Sequence, residues 1–189
     1  MPGGIQTLLP ALLAAEIALA RAEGRPVRII MAGKPHPSDG DGAWHLAEAN
    51  RIADEYKDFV AVLPDYNLGI AKKLVAGCDV WLNTPVVGYE ACGTSGMKAA
   101  LNGAVPVSTK DGWVDEADLR NSGYLLDNDH PGASLCELLE KEIVPCFFAR
   151  NAAGVPEAWE DRMRGSRAMI MRSFTATRML REYVNTLYV

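Results

Sequence analysis

The sequence predicts an α/β fold built on a doubly wound, parallel, Rossmann-like sheet. Short runs rich in β-branched residues alternate with segments whose apolar residues recur at helical spacing. Glycine or proline follows most of these segments, which is typical of the ends of helices and strands. The 189 residues are 49% hydrophobic and 23% charged, ordinary values for a chain with one sizeable core. We therefore expect a single lobe over 1–189, of which 156–189 forms a C-terminal helical tail.

The first half of the chain alternates helix and strand signals up to a third strand. Leucines at helical spacing end at Gly24 and Pro26, which together stop a helix. The β-branched runs that follow are closed by Gly33 and by Pro64, and a later helical face ends at Gly77. The predicted elements, in order, are a helix over 5–22, a strand over 27–31, a polar helix over 43–57, a strand over 59–63, a helix over 66–76 and a strand over 80–82.

The second half continues the alternation and ends in helices. Gly103 ends a short helix, and a turn-rich loop over 110–122 separates the last two strands. The final thirty residues predict one broken helix or two, with one apolar stripe: Met179, Leu180, Tyr183, Val184 and Leu187. The predicted elements, in order, are a helix over 94–102, strands over 105–107 and 124–126, and a helix over 133–149.

Composition excludes several classes of function. The net charge of −5 and the isoelectric point near 5.2 argue against nucleic acid or an anionic membrane as partner. The apolar stretch over 8–20 contains Glu16 and is too short for a membrane span or a secretion signal. The four cysteines form no CxxC pair, and no histidines are paired at ligand spacing, so we expect neither zinc nor disulfides. A cytoplasmic protein is the resulting expectation.

The loop after the third strand carries the strongest site signal. Ligands of open α/β sheets bind beyond the carboxyl ends of the strands. Here Gly93, Thr94, Ser95 and Gly96 run directly into a helix, so free N–H groups and hydroxyls are available for a phosphate. An ordinary structural turn is the alternative from spacing alone. The first strand lacks a GxGxxG turn, which disfavours a dinucleotide.

Lys98 lies one turn into that helix. A helical lysine is usually solvated, but beside a phosphate site we expect partial desolvation, which lowers the proton affinity of the amine. Such an amine condenses with an aldehyde. A phosphate-binding helix start with an adjacent lysine is what pyridoxal phosphate requires.

These residues carry a family resemblance. Residues 90–103, EACGTSGMKAALNG, resemble the cofactor-lysine segment of the α-glucan phosphorylases, and the likeness is closest to the short prokaryotic members. Further matching strings extend the resemblance over nearly the whole chain: AGKPHP at 32–37, DYNL at 65–68, DVWLNTP at 79–85, DGW at 111–113 and RMLREYV at 178–184.

The resemblance implies the C-terminal lobe of a two-lobed, GT-B glycosyltransferase. Family members cleave α-1,4-glucans with inorganic phosphate and release glucose 1-phosphate. By the same resemblance, Lys98 binds pyridoxal phosphate covalently, and Gly93 and Thr94 hold the cofactor phosphate or the substrate phosphate. Glu90 corresponds to the carboxylate that binds the sugar hydroxyls, in a subsite lined by Ala91 and Gly93. Tyr66 corresponds to a tyrosine near the cofactor.

Three departures from the family pattern stand out. Cys92 replaces a common serine and is a weaker hydrogen-bond donor. Asn67 stands where animal and plant members have an arginine, although short prokaryotic members also lack it. The family's basic segment should precede the helix over 5–22, and the chain begins after it. We therefore expect a fragment without the N-terminal lobe, with little or no activity alone.

Two other functions remain as alternatives. A sugar-nucleotide-dependent glucan synthase lobe shares the fold, but such enzymes often place a second glutamate eight residues after the first, and position 98 is lysine. A cofactor-free module that self-associates through the apolar stripe of the final helix is the other. The roles of His36 and of the turn over 111–113 stay open between ligand binding and local structure.

Overall fold

The computed structural model describes Ile17 and residues 23–188. Parallel strands alternate with helices over these residues. The strands are β1 (Ile29–Ala32), β2 (Val60–Leu63), β3 (Val80–Asn83), β4 (Val105–Ser108) and β5 (Tyr124–Leu125). The helices are α1 (Gly40–Glu55), α2 (Leu68–Gly77), α3 (Thr94–Leu101), α4 (Pro131–Leu138), α5 (Val144–Phe148), α6 (Glu157–Ser173) and α7 (Ala176–Leu187). No helix of this described part is both long and apolar enough to cross a membrane.

Every pair of hydrogen-bonded strands is parallel, as predicted. β1 pairs with β2, with Ile29 opposite Val60. β4 lies between β3 and β5, with Val105 opposite Val80 and Val107 opposite Tyr124. Each crossover between paired neighbours contains helix, which is the connection that parallel strands require. The hydrogen-bonded ladders of the described residues thus form a two-stranded and a three-stranded sheet within the predicted α/β class.

The chain divides into two compact units, of which the first comprises 1–72 and 130–148. Helix α1 begins three residues earlier than predicted because the Asp39 carboxylate caps it, accepting the Gly42 N–H at 2.9 Å. α1 packs against β2. The helix predicted over 5–22 lies outside the described residues except for Ile17, which is helical and 2% exposed. A π-helical turn at Leu139–Ile143 separates α4 from α5, where one regular helix was predicted.

The second unit comprises 73–129 and 149–189 and contains the sheet β3–β4–β5. Helix α3 packs against β3, β4 and α6. All four residues of β4 are buried, as expected for a central parallel strand. One cluster forms the core of this unit: Ala100, Trp113, Val114, Leu119, Met169 and Ile170. The buried Ser166 hydroxyl donates to the Ala104 carbonyl at 3.0 Å, which ties α6 to the start of β4.

The last helices differ in burial. Trp159, Ser166, Met169 and Ile170 of α6 are buried, so α6 belongs to the core of its unit. α7 has no buried residue. A break at Phe174 separates the two helices, and Thr175 caps α7 by accepting the Arg178 N–H. The final residues thus form two helices, one of the two arrangements predicted, and the apolar stripe of the second is exposed.

Candidate functional site

The start of helix α3 is open to an anion. Gly93 occupies the N-cap position in the left-handed conformation, with φ +80°, and no side chain caps the helix. The first N–H groups of the helix are therefore left without a side-chain acceptor, and they carry the positive end of the helix dipole. Thr94 and Ser95, the first two helical residues, are both exposed. This end of α3 presents backbone donors and two hydroxyls to solvent.

Trp113 lies beneath the first turn of α3. Its side chain is buried and stacks edge-on against Phe174, with ring centroids 5.5 Å apart. A β-carbon on Gly96 would be 3.1 Å from Trp113 Nε1, and one on Gly93 would be 3.4 Å from Cδ1. The two glycines of the Gly-Thr-Ser-Gly segment therefore allow the first turn of the helix to pack against the indole. Gly93 also adopts a positive φ that other residues rarely adopt.

Glu90 lies beside this helix start. Its Cγ and Cδ are 3.5 and 3.6 Å from the point where a Gly93 β-carbon would sit. Glu90 Cγ is also 2.9 Å from the point where a Gly112 β-carbon would sit. The half-buried glutamate side chain thus passes between two glycines. Glu90 and the N-terminus of α3, which the family resemblance implied as parts of one site, are adjacent in the structure.

Asp111 joins the loop that carries Glu90 to the turn that follows β4. Its Oδ2 accepts the N–H groups of Gly88 at 3.1 Å and Glu90 at 3.0 Å, and its Oδ1 accepts the Gly112 N–H at 2.9 Å. The pKa of Asp111 is lowered, chiefly by donation from the Glu90 N–H and further by the amides of Gly112, Gly88 and Tyr89. The turn predicted over 110–122 is therefore anchored, and it contains a 3₁₀ helix at Gly112–Glu116.

Lys98 is exposed on α3, whereas we expected partial desolvation. The reason is packing: Ala99 and Ala100 take the fully buried face of the helix, and Lys98 lies on the other side. Thr94 precedes Lys98 by four residues, so the two side chains lie on one face. Helical side chains also lean toward the N-terminus, which directs the lysine stem toward the open helix start.

The remaining predicted residues lie in two places. Ala91 is exposed in the loop between Glu90 and Gly93. Tyr66 belongs to the first unit, where it is 38% exposed just before α2. Asn67 caps that helix, since its Oδ1 accepts the N–H groups of Gly69 at 2.9 Å and Ile70 at 3.1 Å. An arginine at position 67 would lack this acceptor.

Other candidate ligands have local roles or form no cluster. His36 Nδ1 accepts the Ser38 N–H at 3.2 Å, which supports the structural interpretation of this histidine. Across Ile17 and 23–188, no group of three or more His, Cys, Asp or Glu side chains is arranged to hold a metal ion. Cys92 has a free thiol and is half-buried. Its backbone carbonyl accepts the Trp113 N–H at 2.9 Å.

Sequence reasoning missed the long-range contacts of Asp111. The Asp-Gly pair at 111–112 indicates a turn, but it does not indicate that the carboxylate reaches the amides of Gly88 and Glu90, 23 and 21 residues away. The proximity of a long loop and a turn at neighbouring strand ends was the available signal.

Comparisons with known proteins show similarity to carbohydrate phosphorylases. The family model described as carbohydrate phosphorylase matches residues 43–117, which include Glu90, Lys98 and Asp111. The glycogen phosphorylase of Mycobacterium tuberculosis is 37% identical over 179 residues, which cover 88% of this chain and 21% of that protein. The maltodextrin phosphorylase of Thermococcus litoralis is 37% identical over 177 residues, covering 87% and 21%. The chain spans about a fifth of the length of these curated relatives.

Solved structures share the fold at low sequence identity. TarM superposes with a TM-score of 0.64 at 16% identity, over 97% of this chain and 33% of that one. HepE of Anabaena, in complex with UDP and glucose, superposes with a TM-score of 0.61 at 14% identity, over 95% and 54%. These similarities show the fold, which is that of a Rossmann-like lobe of GT-B glycosyltransferases.

Proposed function

Since this chain belongs to the carbohydrate phosphorylase family of glycosyltransferase-type enzymes, we propose that it forms the pyridoxal-phosphate-binding, C-terminal lobe of an α-1,4-glucan phosphorylase. The reaction of such an enzyme is the cleavage of a glucan by inorganic phosphate to give glucose 1-phosphate. One observation carries the proposal: Glu90 lies beside the uncapped start of α3, and Lys98 follows one turn into the same helix.

The residues at this helix start fit the cofactor. An anion at the N-terminus of α3 would be bound by the free first-turn N–H groups and the Thr94 hydroxyl. Lys98 is an exposed lysine on the same helix face as Thr94. Long side chains of a helix point toward its N-terminus, which is where the anion would bind. Lys98 would hold the cofactor covalently, and Gly93 and Thr94 would hold a phosphate. When bound, the cofactor supplies a phosphate group that assists the substrate phosphate by proton transfer or electrostatic contact.

Glu90 would bind the sugar. A carboxylate accepts hydrogen bonds from two hydroxyls at once, and the side chain is fixed between Gly93 and Gly112. The exposed loop at Ala91 would line the same subsite without adding a polar group. A cofactor role for Tyr66 is proposed from the family resemblance alone. Glucan and inorganic phosphate are therefore the proposed partners.

We further propose that residues 1–189 alone catalyse little or no phosphorolysis. The attacking phosphate needs cations to hold it. Helix α3 carries one lysine, Lys98, and this residue is already assigned to the cofactor. The chain also covers only about a fifth of the relatives named above. Phosphate consumption with maltodextrin at the rate of a complete phosphorylase would contradict this part of the proposal.

Cofactor binding tests the proposal directly. The chain is incubated with pyridoxal phosphate, its absorbance is followed, and borohydride reduction is used to trap the adduct for peptide mapping. We expect one modified peptide containing Lys98. Lys98→Arg keeps the positive charge but removes the primary amine, and should abolish the modification.

The matched control is Lys72→Arg, which changes another exposed lysine, on helix α2. This variant should bind the cofactor at Lys98 as the parent chain does. Labelling spread evenly over several lysines, or labelling that survives Lys98→Arg, would contradict the assignment. A sugar-nucleotide-dependent synthase lobe would bind UDP-glucose and leave Lys98 unmodified, so the same samples distinguish the two functions.

A second candidate property, self-association, rests on helix α7. Its apolar stripe is exposed in the structure: Met179 by 43%, Leu180 by 60%, Tyr183 by 47%, Val184 by 51% and Leu187 by 69%. A contiguous apolar face of this kind on a helix commonly marks an interaction site. We propose that copies of this chain associate through it.

A further inference from the structure

We propose that Asp111 is a positioning residue that sets the location of Glu90 at the start of helix α3. The consequence for sugar binding rests on the function proposed above, whereas the positioning itself does not. Asp111 caps the turn that it begins and also accepts two amides of the Glu90 loop, so its contacts extend beyond the turn. Its carboxylate faces the backbone of the Glu90 loop.

The first support is the direction of the hydrogen bonds. Oδ2 of Asp111 receives the N–H groups of Gly88 and Glu90, the two residues that flank Tyr89 at the tip of the loop. A carboxylate binds such donors more strongly than a neutral acceptor does. The backbone of Glu90 is therefore held by a group outside its own loop.

The second support is the short distance between the turn and the glutamate. Gly112, with φ +55°, brings its α-carbon so close that a β-carbon would lie 2.7 Å from the Cys92 carbonyl oxygen and 2.9 Å from Glu90 Cγ. The Trp113 N–H donates to that same Cys92 carbonyl at 2.9 Å. Consecutive residues 111–113 thus hold the loop before and after Glu90, and the indole of Trp113 continues the contact to α3.

The geometry explains why Asp111 would act on function through Glu90. Glu90 Cδ lies 3.6 Å from the β-carbon point of Gly93, the N-cap of α3. No hydrogen bond in the described structure joins the Asp111 carboxylate to Lys98 or Thr94. Loss of the Asp111 contacts would move the glutamate relative to the helix start and leave the lysine in place. Sugar binding and cofactor binding should therefore respond differently.

The wild-type chain gives the first test. Amide protons that donate to a carboxylate shift when it is protonated, so an NMR pH titration should move the Gly88, Glu90 and Gly112 amides together. The three should share one midpoint below the ordinary Asp value of about 3.9. Separate midpoints, or no shift at Gly88 and Glu90, would overturn the positioning role without reference to any ligand.

Asp111→Asn gives the second test, because asparagine keeps the shape but removes the charge and one acceptor oxygen. We expect the shared titration to vanish and the affinity for glucose 1-phosphate to fall by about tenfold or more. Attachment of pyridoxal phosphate to Lys98 should be unchanged. Unaltered glucose 1-phosphate affinity in a variant that has lost the shared titration would overturn the proposed link to the sugar.

Asp118→Asn is the matched control. Asp118 lies in the same unit and also has a lowered pKa, of about 2, because Arg120 donates to it from its side chain and backbone. Its replacement should change stability without changing glucose 1-phosphate affinity or the amides of Gly88 and Glu90. A wild-type chain that binds no glucose 1-phosphate would contradict the proposed function, and the amide titration would still decide whether Asp111 holds Glu90.

Discussion

The indole of Trp113 lies against the backbone of Gly96, so closely that a β-carbon there would be 3.1 Å from Nε1. The contact joins the turn after β4 to the first turn of α3. It makes the position of the helix start depend on a residue 17 positions later in the chain. A glycine that a helix would normally disfavour is required here by its neighbour.

Gly96→Ala tests this contact through stability. Helix propensity alone would make alanine better by about 1 kcal/mol. The indole is buried and bounded by Phe174, so it cannot easily retreat, and overpacking costs about 1–3 kcal/mol. We expect a net loss of stability in urea unfolding. Ser95→Ala, at the exposed neighbouring position, is the control and should change stability little. A Gly96→Ala variant more stable than the wild type would show that the indole moves to make room for the methyl group.

Gly112→Ala should destabilise the chain more than Gly88→Ala. Both glycines have positive φ, so alanine is strained at either position by about 1–2 kcal/mol. Only Gly112 also faces the Cys92 carbonyl and Glu90, whereas nothing lies within 4 Å of a β-carbon on Gly88. The difference between the two unfolding free energies therefore measures the close approach at Glu90. Equal losses would mean that the loop moves away freely.

Asp111 should make stability fall in acid. Its pKa is lowered in the folded chain, so its stabilisation is complete above the unfolded value near 3.9 and is lost as the pH falls through the lower folded value. Asp111→Asn should be nearly as stable as the wild type in acid, where Asp111 is protonated. Its loss of stability should be greatest near neutral pH. Thermal midpoints measured across this range check the sign.

Asp115→Asn controls for the loss of one negative charge. Asp115 is exposed on the 3₁₀ helix that Asp111 caps, and it pairs with Lys110 Nζ at 3.3 Å. An exposed pair of this kind contributes little to stability. If Asp115→Asn and Asp111→Asn gave the same pH profile, the effect would come from net charge and not from the amides around Asp111.

Leu180→Lys should reduce self-association of the chain. Leu180 is 60% exposed in the apolar stripe of α7, so a charge there costs the fold little but opposes burial against another copy. Asn185→Lys adds the same charge on the opposite side of the helix and should leave association unchanged. Light scattering over a concentration series checks both. A wild-type chain that stays monomeric at high concentration would contradict the proposal.

The sequence was sufficient for the α/β class, the order of the elements and the helix start at Gly93. These follow from period, β-branching and turn residues, which act over a few positions. The bounds differed where a local cap was overlooked, as at Asp39 before α1, or where a helix changed its winding, as at Leu139–Ile143. The place of Lys98 one turn into α3 made it a candidate, and family resemblance added Glu90, which lies beside the helix start in the structure.

Tertiary structure alone decided the relations between residues distant in sequence. The reach of Asp111 to amides 21 and 23 residues away depends on where two parallel strands end, which no local pattern specifies. The exposure of Lys98 was likewise settled by which side of α3 its alanines bury. Local backbone preferences are short-range energies, whereas burial and long-range hydrogen bonds exist only once the elements have packed.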